Sequence, residues 1–162
     1  MGKRDLMRYI LIISLTLLTL ALTACSYSTD FVVVNESNQP IEVRYKIKKF
    51  PVGPPTLEGT PTKIGASQLG ERDRRKWQKV NSDEYQIDQE NRTVTVNLMP
   101  HEALWVTSMF HYFGDEDPND VANWPIEEIS VKGADGEMMF TGDKSRQSFS
   151  YVSRVLYTLT YK

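Results

Sequence analysis

Acidic side chains are the first candidates for chemistry, and they concentrate in Asp115-Glu116-Asp117-Pro118-Asn119-Asp120. Oxygen ligands at alternate positions, here Asp115, Asp117 and Asn119, can converge on a hard cation such as calcium, which takes about six to eight oxygens. The pattern fails where a helix–loop–helix calcium loop is most demanding. Its sixth position is Asp120 instead of Gly, its twelfth is Ile126 instead of Glu, and Pro118 restricts the backbone between them. No metal site is assigned, and the bland reading is a solvated acidic loop. Aromatic residues bracket this run: Trp105, Phe110, Tyr112, Phe113 and Trp124. Rings give large contact area at low entropic cost, so Trp105, Tyr112, Phe113 and Trp124 form a candidate binding surface. The competing reading, that these rings fill the core beneath a long loop, is the commoner fate of such a cluster.

Asp73, Glu84 and Glu102 are carboxylates of the kind a glycosidase pairs as acid and nucleophile, although the sequence brings no two of them together. His101 and His111 stand ten positions apart, which matches no standard zinc spacing. The chain has no G-x-S-x-G elbow, no H-E-x-x-H helix, no phosphate-binding loop and no G-x-G-x-x-G turn. Cys25 is the one cysteine, so everything after it has neither a disulfide nor a thiolate for catalysis or metal binding.

The elements that must position these residues read as strands. Residues 31–34 are apolar and β-branched, residues 35–40 are turn formers, and residues 41–48 alternate strictly between apolar and polar. This spacing predicts a β-hairpin over 31–48 with one wet face. Pro and Gly break residues 50–70 into an irregular excursion with a short helix near 66–69, and residues 71–76 form a solvated charge run. Strands are expected weakly at 77–80, and at 84–88, 92–98, 103–109, 126–131, 137–141 and 155–161. Gly133-Ala134-Asp135-Gly136 is a hairpin connection, and Asp143 is placed to cap a helix over 144–151. About eight closely spaced strands with one or two short helices predict an all-β antiparallel sandwich, immunoglobulin-like in its favoured version, with an open barrel as the alternative. Residues 31–162 form its single domain.

The N-terminus supplies the most specific pattern. Lys3, Arg4 and Arg8 precede an almost wholly apolar run from residue 9 to residue 22, which is short for a membrane-spanning helix. The run closes on Leu22-Thr23-Ala24-Cys25, which resembles the lipobox of bacterial lipoproteins. The resemblance covers only about the first 26 residues. It implies that residues 1–24 are a removable signal peptide and that Cys25 carries a diacylglycerol, with further acylation of the freed amino group. Two or more acyl chains anchor a protein stably where one holds it only marginally. Ser26 in place of Asp after the cysteine favours the outer membrane, on its periplasmic side. Residues 25–30 then read as a lipidated tether short enough to keep the domain near the bilayer.

Of the 19 Lys and Arg residues three fall in the leader, and of the 21 Asp and Glu residues one does, so the remainder carries 16 against 20, a formal charge of −4. A mildly acidic surface of mixed sign argues against nucleic acid as a partner. The expectation is a membrane-anchored envelope lipoprotein acting as a non-enzymatic interaction or accessory module, with another envelope protein as partner. No cofactor is expected beyond the covalent lipid. The alternatives are a small-ligand or glycan binder using residues 105–125, and then a carboxylate-dependent hydrolase.

Overall fold

The alternation read in residues 41–47 is realised in the fold: Ile41, Val43 and Tyr45 are buried, while Glu42 and Arg44 stand exposed. A computed structural model describes residues 26–49, 60–69, 76–112, 124–153 and 155–162. Its strands are β1 (Ser26–Asn35), β2 (Ile41–Ile47), β3 (Thr62–Gly65), β4 (Gln78–Lys79), β5 (Tyr85–Asp88) and β6 (Thr93–Leu98). They continue with β7 (Glu102–Tyr112), β8 (Ile126–Gly133), β9 (Gly136–Thr141), β10 (Ser150–Ser153) and β11 (Leu156–Tyr161). A single turn of 3₁₀ helix, Ala66–Gln68, follows β3, and one short helix, α1 (Asp143–Gln147), precedes β10.

Two sheets result, one ordered β10-β11-β1-β7-β3-β4 and the other β5-β6-β2-β8-β9. Their facing side chains share one core: Phe31, Val33, Leu104 and Leu159 from the first, Ile41, Val43, Val96 and Ile129 from the second. The all-β, sandwich-like expectation therefore holds, with more strands than the sequence suggested. β4 falls inside the weak strand expected at 77–80, whereas β3 lies in the stretch read as an irregular excursion and β10 overlaps the stretch read as helix. Not every pairing is antiparallel, since β1 lies parallel to β11, from Asp30 opposite Leu156 to Asn35 opposite Tyr161.

Several local expectations are corrected. The hairpin over 31–48 does not form; β1 and β2 belong to different sheets, and residues 36–40 cross between them. Asn35 fixes that crossing. It is fully buried, and its amide donates to the Gln39 and Leu98 carbonyls at 2.9 and 3.1 Å. Its Oδ1 accepts from the Ser37 N–H and hydroxyl at 3.1 and 2.7 Å, an Asx turn that redirects the chain. Residues 26–30, read as a tether, are instead the first half of β1, paired with β7 up to Tyr112. The expected helix over 144–151 stops at Gln147, and its N-cap is Gly142, not Asp143. Residues 150 and 151 already belong to β10.

Because β1 is central in its sheet, it is buried on both faces. Phe31 and Val33 point into the main core, while Val32 and Val34 join Ile64, Ala103 and Leu156 in a second cluster on the other face. Ala66, Leu69, Trp77 and Trp105 pack over that second cluster. At the main core's end Arg146 of α1 is buried, its guanidinium 4.4 Å from the Tyr157 ring centre and 4.6 Å from that of Phe31. Cation–π contact of this kind lets a charged group sit among rings.

Candidate functional site

The carboxylates considered for acid–base chemistry are partly brought together. Lys63 on β3, Glu84 beside β5 and Glu102 on β7 converge. The Lys63 ammonium lies 3.1 Å from both Glu84 oxygens and 3.0 to 3.1 Å from both Glu102 oxygens. Thr62–Gly65 pairs with Glu102–Trp105, which places Lys63 and Glu102 on neighbouring strands. Glu84 is held from its own side: its Oε2 accepts from the Asn81 N–H and the Asn81 side-chain amide at 3.1 and 2.9 Å. Glu102 Oε2 also accepts from the Met99 N–H at 3.0 Å, across a turn that His101 completes with a φ of 60°.

The electrostatics suit a structural knot better than a hydrolytic pair. The hydrogen bond from Lys63 draws the Glu84 carboxyl below its ordinary value, against the opposing effect of burial and with help from Asn81. Burial acts to lower the Lys63 ammonium, but the hydrogen bonds and charges of Glu102 and Glu84 outweigh it and hold the pKa above its ordinary value. A glycosidase general acid needs the opposite, a carboxyl raised by an apolar or anionic setting. Asp73, the third candidate, lies outside the described residues.

The aromatic surface is divided. Trp124 was expected as part of a binding surface and is instead completely buried. Its ring meets Phe31 and Phe149 edge-on at 4.8 and 5.7 Å, and its indole N–H donates to the buried Ser145 hydroxyl at 2.7 Å. Trp105 belongs to the other face of the sheet. Leu104 and Val106 point into the main core, so strand alternation turns Trp105 outward, where it is half-buried in the second cluster. Its N–H points at Ser108 Oγ (3.2 Å) and Asp30 Oδ1 (3.4 Å). Trp105 and Trp124 thus do not share a surface. The backbone of Tyr112 ends β7 opposite Ser26, while its side chain and the whole of Phe113 lie outside the described residues.

Cys25, Asp115, Asp117 and Asn119 also lie outside the described residues, although Ser26, directly after Cys25, is the first residue of β1. Among the described residues no three His, Cys, Asp or Glu side chains are grouped to hold a metal ion, and no helix is long and apolar enough to cross a membrane.

Sequence reasoning missed an apolar surface near β10. Tyr151, Val152 and Val155 are exposed, and Val152, Val155, Leu156, Val34, Ala66 and Leu69 line a shallow groove of about 510 Å³ over β1 and β11. β10 is exposed at Ser150, Tyr151 and Val152 alike, so no in–out alternation marked it as a strand. At the opposite end Glu36, Ser37, Asp135 and Lys162 line a polar hollow of about 490 Å³. No family model matches the chain, and comparisons with curated proteins and with solved structures likewise find no match.

Proposed function

We propose that this chain is a lipid-anchored protein of the bacterial envelope, held by Cys25, whose β domain serves as a non-enzymatic interaction module beside the membrane. The observation that carries the reading is the N-terminal pattern: a basic start, a short apolar run and Leu22-Thr23-Ala24-Cys25. On this reading the acylated residue adjoins the sheet with no spacer, since β1 starts at Ser26. Ser26 points to the outer membrane and its periplasmic side. An envelope protein is the expected partner.

Carboxylate-dependent hydrolysis is disfavoured by the Lys63 ammonium between Glu84 and Glu102. A ligand or glycan surface over residues 105–125 loses Trp124 to the core and would have to rest on Trp105, Tyr112 and Phe113. For the architecture we favour an immunoglobulin-like version of the sandwich, supported by the crossing of β1 and β2 between sheets and by the return of β11 beside β1.

Feeding cells an alkyne analogue of palmitate tests the anchor. Label should enter the chain, and Cys25→Ala should abolish it and release the protein from membranes. Label that persists in Cys25→Ala, or never enters the wild type, overturns the reading. In-cell cross-linking tests the module: repeated failure to capture any envelope protein counts against it.

A further inference from the structure

We infer that Tyr151, Val152 and Val155 are the membrane-contacting rim of the anchored domain, seated in the interfacial layer of a phospholipid bilayer. The inference rests on the reading of Cys25 as the lipidated residue and adds to it an orientation.

Strand register supplies the position. β11 runs parallel to β1, Leu156 pairs with Asp30, and the Asp30 N–H donates to the Val155 carbonyl at 2.9 Å. Val155 is therefore level with Asp30, and Ser153 of β10 pairs with Leu156 at the same level. From Ser26 to Asp30 the strand advances roughly 13 Å. No flexible spacer intervenes, since β1 begins at Ser26. A sheet tilted toward the bilayer places this rim in the headgroup layer once the acyl chains enter the hydrocarbon.

Chemistry supplies the polarity. Tyr151 and Val152 are 64% and 55% exposed and Val155 37%; Tyr151 and Val152 face opposite sides of β10, an edge strand, so the exposed apolar surface wraps that edge. Tyrosine suits the bilayer interface, where its ring is shielded and its hydroxyl stays wet. Val152 and Val155 continue into the groove over Leu156 and Leu69, which Thr158, Thr160 and finally Glu36 line toward its other end. The groove ends at Glu36, and Asp135 lies in the hollow beyond it, so acidic groups at the far end of β1 favour distance from anionic lipid.

The test uses the full lipidated protein in vesicles of phosphatidylethanolamine and phosphatidylglycerol. Cys25 is acylated and is the chain's one cysteine, so Val152→Cys or Val155→Cys introduces a single labelling site for an environment-sensitive fluorophore. Met139→Cys, on exposed β9, is the comparison. Labels at 152 and 155 should be quenched several-fold more by lipids carrying a spin label high on the acyl chain than the label at 139. They should also be shielded from a water-soluble quencher. Labels at 152 and 155 as wet as that at 139, in protein shown by mass to carry its acyl chains, overturn the orientation and leave the anchor standing. Protein that carries no acyl chains removes both.

Discussion

The ring of Tyr161 lies across the backbone of Gly133, so closely that a β-carbon placed there would stand 2.6 Å from its Cζ and Oη. The two residues belong to opposite sheets, and Tyr161 is buried among the core side chains, so the ring cannot simply swing into solvent. Gly133→Ala should therefore destabilise the fold by about 1–3 kcal/mol, the range for overpacking. Its cost should shrink when Tyr161→Ala is also present, a coupling that a double-mutant cycle in urea reads directly. Additive losses would mean that the ring does not restrain this position.

Lys63 should matter most at intermediate pH. The Glu84 carboxyl is held below its ordinary 4.5, so its contribution is present above that value and lost as pH falls through the folded pKa. Lys63 is held above its ordinary 10.5, so its contribution is present below that value and lost as pH rises through the folded pKa. Lys63→Met leaves two carboxylates facing each other without their cation. The expected loss at neutral pH is about 1–3 kcal/mol, from hydrogen bonds to charged groups. Its difference from wild type should narrow in acid below 4.5 and again in base above 10.5. A difference that stays flat across this range would contradict the pairing.

Trp124 and Ser145 test whether the 105–125 aromatics are core or surface. Trp124→Ala should cost about 3–5 kcal/mol, as large aromatic truncations in cores do. Ser145→Ala should cost about 1–3 kcal/mol by stranding the buried indole N–H. Trp124→Phe combined with Ser145→Ala should cost less than the two separately, because the stranded donor is gone. Near-wild-type melting of Trp124→Ala would return this ring to the candidate binding surface.

Asn35→Ala should be among the costlier polar substitutions, at about 2–3 kcal/mol. It removes both amide donors from buried or half-buried carbonyls and the acceptor that shapes residues 36–40. Asn35→Asp should not rescue it, since a carboxylate cannot donate to Gln39 and Leu98. Thermal unfolding of the two variants side by side checks this.

Much of the fold was legible because it depends on side-chain period. Ile41, Val43 and Tyr45, and Val94, Val96 and Leu98, fall on the inner face as alternation requires. The turn at 88–91 was legible too, since Asp88 accepts from the Asn91 N–H and side-chain amide as an Asx residue does. What period cannot report is partnership. Asn35 to Pro40 has a hairpin's composition, and only the buried bond from Asn35 to Leu98, 63 residues away, turns it into a crossing. The carboxylates show the same limit: Glu84 and Glu102 were recognised singly, but nothing local indicated that Lys63 would lie between them. Trp105 and Trp124 were grouped by sequence distance, whereas the sheet separates them onto its two faces.

The parallel seam between β1 and β11 sets an order of events. The strand that begins at Ser26 lies in the middle of its sheet, yet one of its two neighbours is β11, more than a hundred residues further along. β1 is made well ahead of β11, so the inner strand stays half-paired until residues 156–161 arrive. Closure of so distant a contact is entropically slow and leaves an open edge meanwhile. Loss of residues 156–161 would thus not trim the periphery; it would expose the inner strand next to Cys25 for as long as the chain existed.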